Sequence, residues 1–99
     1  MRFLLKIHMP VETGNRTVRD GSLPKIIQNF MEKYKPEASY FFAEGGKRTA
    51  YIFFSLNDPS EIPVIAEPLF MGLDAELEII PVMNADELKA GLEKASKNF

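Results

Sequence analysis

"ASYFFAEGGKRTAYIFFSL", residues 38–56, sets two runs rich in aromatic and β-branched residues on either side of Gly45-Gly46. Two glycines between such runs suit the mirror-image turns that join antiparallel strands, because those turns need positive φ at both central positions. Counting outward from the glycines sets Glu44 against Lys47, Phe42 against Thr49 and Tyr40 against Tyr51. Side chains alternate between the two faces of a strand. These six therefore share one face, and Phe41, Ala43, Ala50, Ile52 and Phe54 share the other. The second set is the more aliphatic and is predicted to face the core.

Upstream, "RFLLKIHMP" (2–10) alternates as well, with Phe3, Leu5, Ile7 and Met9 on one side and Leu4, Lys6 and His8 on the other. A period of two marks a strand, and Pro10 ends it. "PVETGNRTVRDG" (10–21) is polar and punctuated, and it predicts a loop of 12 residues. Loops of that length are more often functional than short ones. Ser22 is the expected N-cap of a helix that tolerates Pro24 in its first turn. Leu23, Ile26, Ile27, Phe30, Met31 and Tyr34 follow at helical spacing, and Pro36 marks the end. Downstream of the hairpin, Asp58 and Glu61 have the spacing of a capping box, with Pro59 suited to the first helical position. Pro63 and Pro68 predict that this helix is short or kinked. "AELEIIPV" (75–82) alternates again, Leu77 and Ile79 against Glu76, Glu78 and Ile80. Asn84 with Glu87 caps a C-terminal helix whose apolar stripe is Leu88, Leu92, Ala95 and Phe99.

Strand, helix, strand, strand, helix, strand is the split βαβ arrangement called ferredoxin-like. It predicts an α+β fold with an antiparallel four-stranded sheet in the order 4-1-3-2, both central helices on one face, and a tail helix over 85–99. The 99 residues fit a single domain. Twelve basic against 14 acidic side chains leave a net charge of -2, and no basic patch points to nucleic acid. With no cysteine, disulfides and thiolate chemistry are excluded. No apolar run approaches the ~20 residues of a membrane span. "MRFLLKIHM" starts like a signal peptide, but Lys6 and His8 interrupt it, and no small-residue cleavage site follows. A cytoplasmic protein is expected.

The face opposite the helices would carry Leu4, Phe42, Tyr51, Phe53 and Ile80 together. A contiguous apolar surface of this kind usually marks an interface, and a second copy of the sheet is its simplest cover. In this topology the chain resembles the dimeric α/β-barrel superfamily over residues 2–83. There two ferredoxin-like subunits place their sheets face to face. "GNRTVRDGS" (14–22) and "DPSEIPVIAEPLF" (58–70) resemble stretches of a small uncharacterised bacterial family, some members of which bear the name pantothenate synthetase. With one histidine, this chain has no His-x-Gly-His nucleotide motif.

The resemblance implies a homodimer with His8 inside the barrel. A register that sets His8 opposite Glu76 also sets Lys6 opposite Glu78. An imidazole is suited to proton transfer near neutral pH, so His8 with Glu76 is the candidate catalytic pair. The bland alternative is a hydrogen-bonded histidine that bridges strands or subunits. Arg16 and Arg19, in the loop that leaves strand 1, are candidates to clamp a carboxylate; alternatively Arg19 and Asp20 pair locally. Tyr40, Phe42 and Tyr51 would wall a pocket for a flat molecule, or pack the dimer, with Lys6 and Glu78 among the ligand contacts. One histidine without cysteines makes no recognised metal site. Haem-binding relatives typically use a helical histidine, whereas this one lies on a strand. There is no Gly-rich phosphate loop and no nucleophile elbow, so no cofactor is expected. The resulting expectation is a protein that binds or transforms a small organic acid by acid–base chemistry, of the isomerase or cofactor-free monooxygenase type. The alternative is a non-catalytic binding or accessory dimer.

Overall fold

One antiparallel sheet organises the chain, seen here in a computed structural model that describes residues 1–99. Its strands are β1 (Arg2–His8), β2 (Ala38–Glu44), β3 (Lys47–Ser55) and β4 (Glu76–Pro81). Their order is β2-β3-β1-β4, the predicted order read from the other edge. Between the strands run α1 (Val11–Arg19), α2 (Ser22–Tyr34) and α3 (Glu61–Leu73), with α4 (Ala85–Ser96) at the end. The α+β arrangement is compatible with a ferredoxin-like fold. Gly45 (φ 61°) and Gly46 (φ 77°) both take left-handed backbone conformations, which the tight turn demands and other residues resist. The hairpin register follows as read from them, with Glu44↔Lys47, Phe42↔Thr49 and Tyr40↔Tyr51. The β1–β4 register likewise sets His8 against Glu76 and Lys6 against Glu78.

The odd-numbered side of β1 and the even-numbered side of β3 form the core with α3. Leu5, Ile52, Phe54 and Leu73 are each 2% exposed or less. The Phe54 ring meets Phe30 of α2 edge-on at 5.6 Å and Tyr34 at 5.9 Å. Each large apolar side chain so buried contributes roughly 1.5–3 kcal/mol.

The loop expected over 10–21 is instead largely helical, forming α1. Its buried face is made of Thr13, Gly14 and Thr17, small and polar residues that a hydropathy pattern reads as loop. Their hydrogen bonds are met internally. The Thr17 hydroxyl donates to the carbonyls of Thr13 (2.8 Å) and Gly14 (3.3 Å), and the Thr13 hydroxyl donates to Asp74 Oδ2 at 2.7 Å. Glu12 in the first turn and Arg16 and Arg19 in the last oppose the helix dipole.

The helix starts also differ in detail. Ser22 is the first residue of α2 rather than its cap, and Gly21 (φ 80°) stands at the N-cap. The Asp20 carboxylate accepts both the Ser22 hydroxyl (2.6 Å) and the Ser22 backbone N–H (2.8 Å). Asp58 Oδ1 likewise takes the backbone N–H of Ser60 at 2.9 Å, but α3 begins only at Glu61, without a side-chain cap. The Glu61 N–H goes to the Asp58 backbone carbonyl instead, so the expected capping box does not form. α3 still runs 13 residues with Pro68 inside it, so the prolines do not shorten it. Pro63 sits in the first turn, where its missing N–H has no intrahelical role.

At α4 the capping box is complete. Asn84 Oδ1 accepts the Glu87 N–H at 2.8 Å, and Glu87 Oε1 accepts the Asn84 N–H at 2.9 Å. Yet α4 does not pack against the rest of its own chain. Every residue from 85 to 96 is exposed except the half-buried Ala95, and Leu88, Leu92 and Phe99 are 47%, 58% and 97% exposed. The radius of gyration is 16.1 Å, against ~13 Å for a compact chain of this length.

Candidate functional site

The three pairing registers fix which side chains stand in line across the face the helices leave open. One row is Phe42, Thr49, His8, Glu76; the next is Tyr40, Tyr51, Lys6, Glu78; the third is Ala38, Phe53, Leu4, Ile80. His8, Glu76, Lys6, Glu78, Tyr40, Phe42 and Tyr51 therefore share one face. Leu4, Lys6, His8, Tyr51, Phe53 and Ile80 are half-buried, Tyr40 and Phe42 are exposed, and only Thr49 is fully buried.

His8 does not use Glu76. Its Nε2 lies 2.9 Å from Glu44 Oε1, a residue two strands away at the hairpin end of β2. Glu44 sits one row beyond Phe42, next to the turn, so its side chain reaches back diagonally over Thr49. A carboxylate only accepts, so Nε2 carries the proton in this contact. In the neutral ring Nδ1 is then the basic nitrogen. Glu76 and Glu78 stand beside His8 and Lys6 in register and are exposed to solvent.

Lys6 Nζ lies 5.2 Å from the centre of the Tyr51 ring, a cation–π distance. Phe42 meets Tyr51 edge-on at 4.9 Å. Cation, imidazole and aromatic faces are thus neighbours within two rows. His8 and Glu44 are joined by no third acidic, histidine or cysteine group that would complete a metal-binding cluster.

Arg16 and Arg19 lie on exposed positions in the last turn of α1, and neither forms an ion pair or hydrogen bond with the open face. The expected Arg19–Asp20 pair is absent, since Asp20 is engaged by Ser22. The Ser22 hydroxyl, then its backbone N–H, holds the Asp20 carboxyl below the usual aspartate range.

At the other end of the face, Arg2 of β1 opposes Ser55 and bridges the segment before β2 to the first turn of α4. Its Nε donates to Glu37 at 2.5 Å and its Nη1 to Glu87 at 2.6 Å. These two partners raise the Arg2 guanidinium above its usual value, Glu87 most. They also tie the start of α4 to the open-face side of the sheet.

Two features escaped the sequence reading. Glu44 was legible as a member of the open face, but its diagonal reach to His8 needs three-dimensional geometry. A cavity of about 520 Å³ opens on the helix-covered side of the sheet; His8 does not line it, although Phe42 and Thr49 of the His8 row do; its only sequence signal is the small pair Ala43 and Ala50 among large neighbours. No helix is long and apolar enough to cross a membrane. No family model matches the chain, and no curated protein matches it in sequence.

Proposed function

We propose that the chain works as a homodimer of the dimeric α/β-barrel type, its open sheet faces apposed around a site at the His8 end that binds a small organic acid. The observation that carries this reading is the His8–Glu44 pair beside Lys6, on an aromatic face that the subunit's own helices leave uncovered. Closing two such faces removes Leu4, Phe53 and Ile80 from water and shields the polar rows. α4 then serves as an arm whose stripe of Leu88, Leu92 and Phe99 lies on the partner.

In this reading Lys6 holds the carboxylate and Tyr51 and Tyr40 pack the carbon skeleton. His8 Nδ1 takes a proton from the carbon next to the carboxylate and returns it at another position. Glu44 stabilises the imidazolium that exists between the two steps. Proton and electron pair are both conserved, as in an isomerase. A cofactor-free monooxygenase would use the same first step. Glu76 and Glu78 line the far side of the two rows and set the charge of the site. A second reading, a non-catalytic binding or accessory dimer, is favoured by the edge contact of Phe42 on Tyr51, which fills part of the face.

The test is a thermal-shift screen of small organic acids, repeated with His8→Ala and Lys6→Ala. Loss of the hit in both variants, with fold and dimer intact, supports the site. Wild-type binding in both would leave His8 as a strand-bridging residue only.

A further inference from the structure

We infer that the helix-covered side of the sheet holds a second, separate site, which takes a medium-chain aliphatic monocarboxylate with its carboxylate against Arg48. The site is a cavity of about 520 Å³, within the range of ligand pockets, roughly 300–1,000 Å³. It exists because the sheet and α2 do not close on each other. Ala43 and Ala50 are small where the hairpin should meet the helix, and α2 has no fully buried residue. Phe41 beside them stays 53% exposed.

The lining decides the ligand class. Fourteen of the 16 lining residues are hydrophobic; the others are Arg48 and Thr49. The Thr49 hydroxyl already donates to the Lys47 carbonyl at 3.1 Å. No acidic residue lines the cavity. Ile26, Ile27 and Leu69 give aliphatic walls, and Met9 and Met31 are flexible enough to follow a chain rather than a rigid ring.

Arg48 supplies the charge. It stands on the core-facing side of β3, opposite Ala43. Its guanidinium lies on α1 and donates from Nη1 to Asn15 Oδ1 at 3.1 Å. None of the three ion pairs in the chain involves it. Its seat depends on Gly14, where an added Cβ would come within 2.5 Å of Arg48 Nη1. Arg48 lines the cavity, and its guanidinium, which has no carboxylate partner, favours an amphipathic anion over a neutral chain.

The experiment is calorimetric titration of the full chain with decanoate and with decanol, alongside NMR of the Ile26, Ile27 and Met31 methyl groups. Decanoate is expected to bind once per chain and to shift those methyls, with decanol about tenfold weaker or more. Arg48→Gln should abolish the difference between the two probes. Gly14→Ala, which displaces the guanidinium without removing it, should weaken decanoate alone. Ala43→Phe, at an exposed position on the rim, should block both probes. His8→Ala should change nothing here, which separates this site from the one on the open face. Failure of decanoate to bind at millimolar concentration, equal binding of the two probes, or wild-type binding by Arg48→Gln would each overturn the assignment. So would binding that appears only after residues 85–99 are removed, since α4 would then be the occupant.

Discussion

Arg2 and Glu87, 85 residues apart in sequence, meet at 2.6 Å between the first strand and the first turn of the last helix. The same Glu87 carboxylate accepts the Asn84 N–H and closes the capping box. The Asn84 N–H first, then Arg2, holds the Glu87 carboxyl below its ordinary value of 4.5. A depressed carboxylate contributes stability that is fully present above the unfolded-state value and is lost as pH falls through the folded-state one. The start of α4 should therefore stay ordered at pH 4.5 and loosen only below it. NMR Cα shifts of residues 85–92 will show this, and Glu87→Gln should remove the pH dependence. Asn84→Ala should cost the helix about 1 kcal/mol at any pH.

Phe54 is the centre of the core, 1% exposed and in contact with both Phe30 and Tyr34. Phe54→Ala should lower the unfolding free energy by ~3–5 kcal/mol. That is a large share of the ~5–15 kcal/mol typical of a domain. Urea denaturation measures it directly.

α4 buries almost nothing on its own chain. Removing residues 85–99 should therefore leave the unfolding midpoint of the dilute monomer nearly unchanged and raise the dimer dissociation constant. Sedimentation of the truncated chain against the full one reads the second effect, and dilute-solution melting reads the first. A truncated chain that dimerises like the full one would remove α4 from the interface.

Glu44, and not Glu76, is the group that holds His8. Once a turned-over acid is identified, Glu44→Gln should reduce kcat by ~10²-fold or more while KM changes little, because the carboxylate stabilises a charge that exists only during proton transfer. Glu76→Gln should lower kcat far less. Equal effects of the two substitutions would contradict the pairing.

Much of this was legible in the sequence. Gly45-Gly46 determined the hairpin and its face, alternation determined β1 and β4, and Asn84 with Glu87 determined the start of α4. α1 was not legible because its packed side is Thr13, Gly14 and Thr17. Close approach of small residues, with threonine hydroxyls bonded to helix carbonyls, replaces the apolar stripe that signals a buried helix. The acidic first turn and basic last turn were the available signal. At the site, the sharing of one face by His8, Lys6, Tyr40, Phe42 and Tyr51 followed from period two. The His8–Glu44 bond did not, because cross-strand arithmetic finds residues directly opposite and not a carboxylate reaching diagonally over a third strand. Arg16 and Arg19 were drawn toward the site by a loop that is in fact a helix.

The open face is the centre of the account, because both the site and the role of α4 rest on a second copy covering it. Sedimentation equilibrium of the full chain at micromolar concentration tests this most directly, with Tyr51→Asp and Phe53→Asp as comparisons. Twice the chain mass of 11.2 kDa is expected for the wild type, with dissociation or unfolding once a charge must be desolvated at either position. A wild type that sediments at the single-chain mass throughout that range would contradict it.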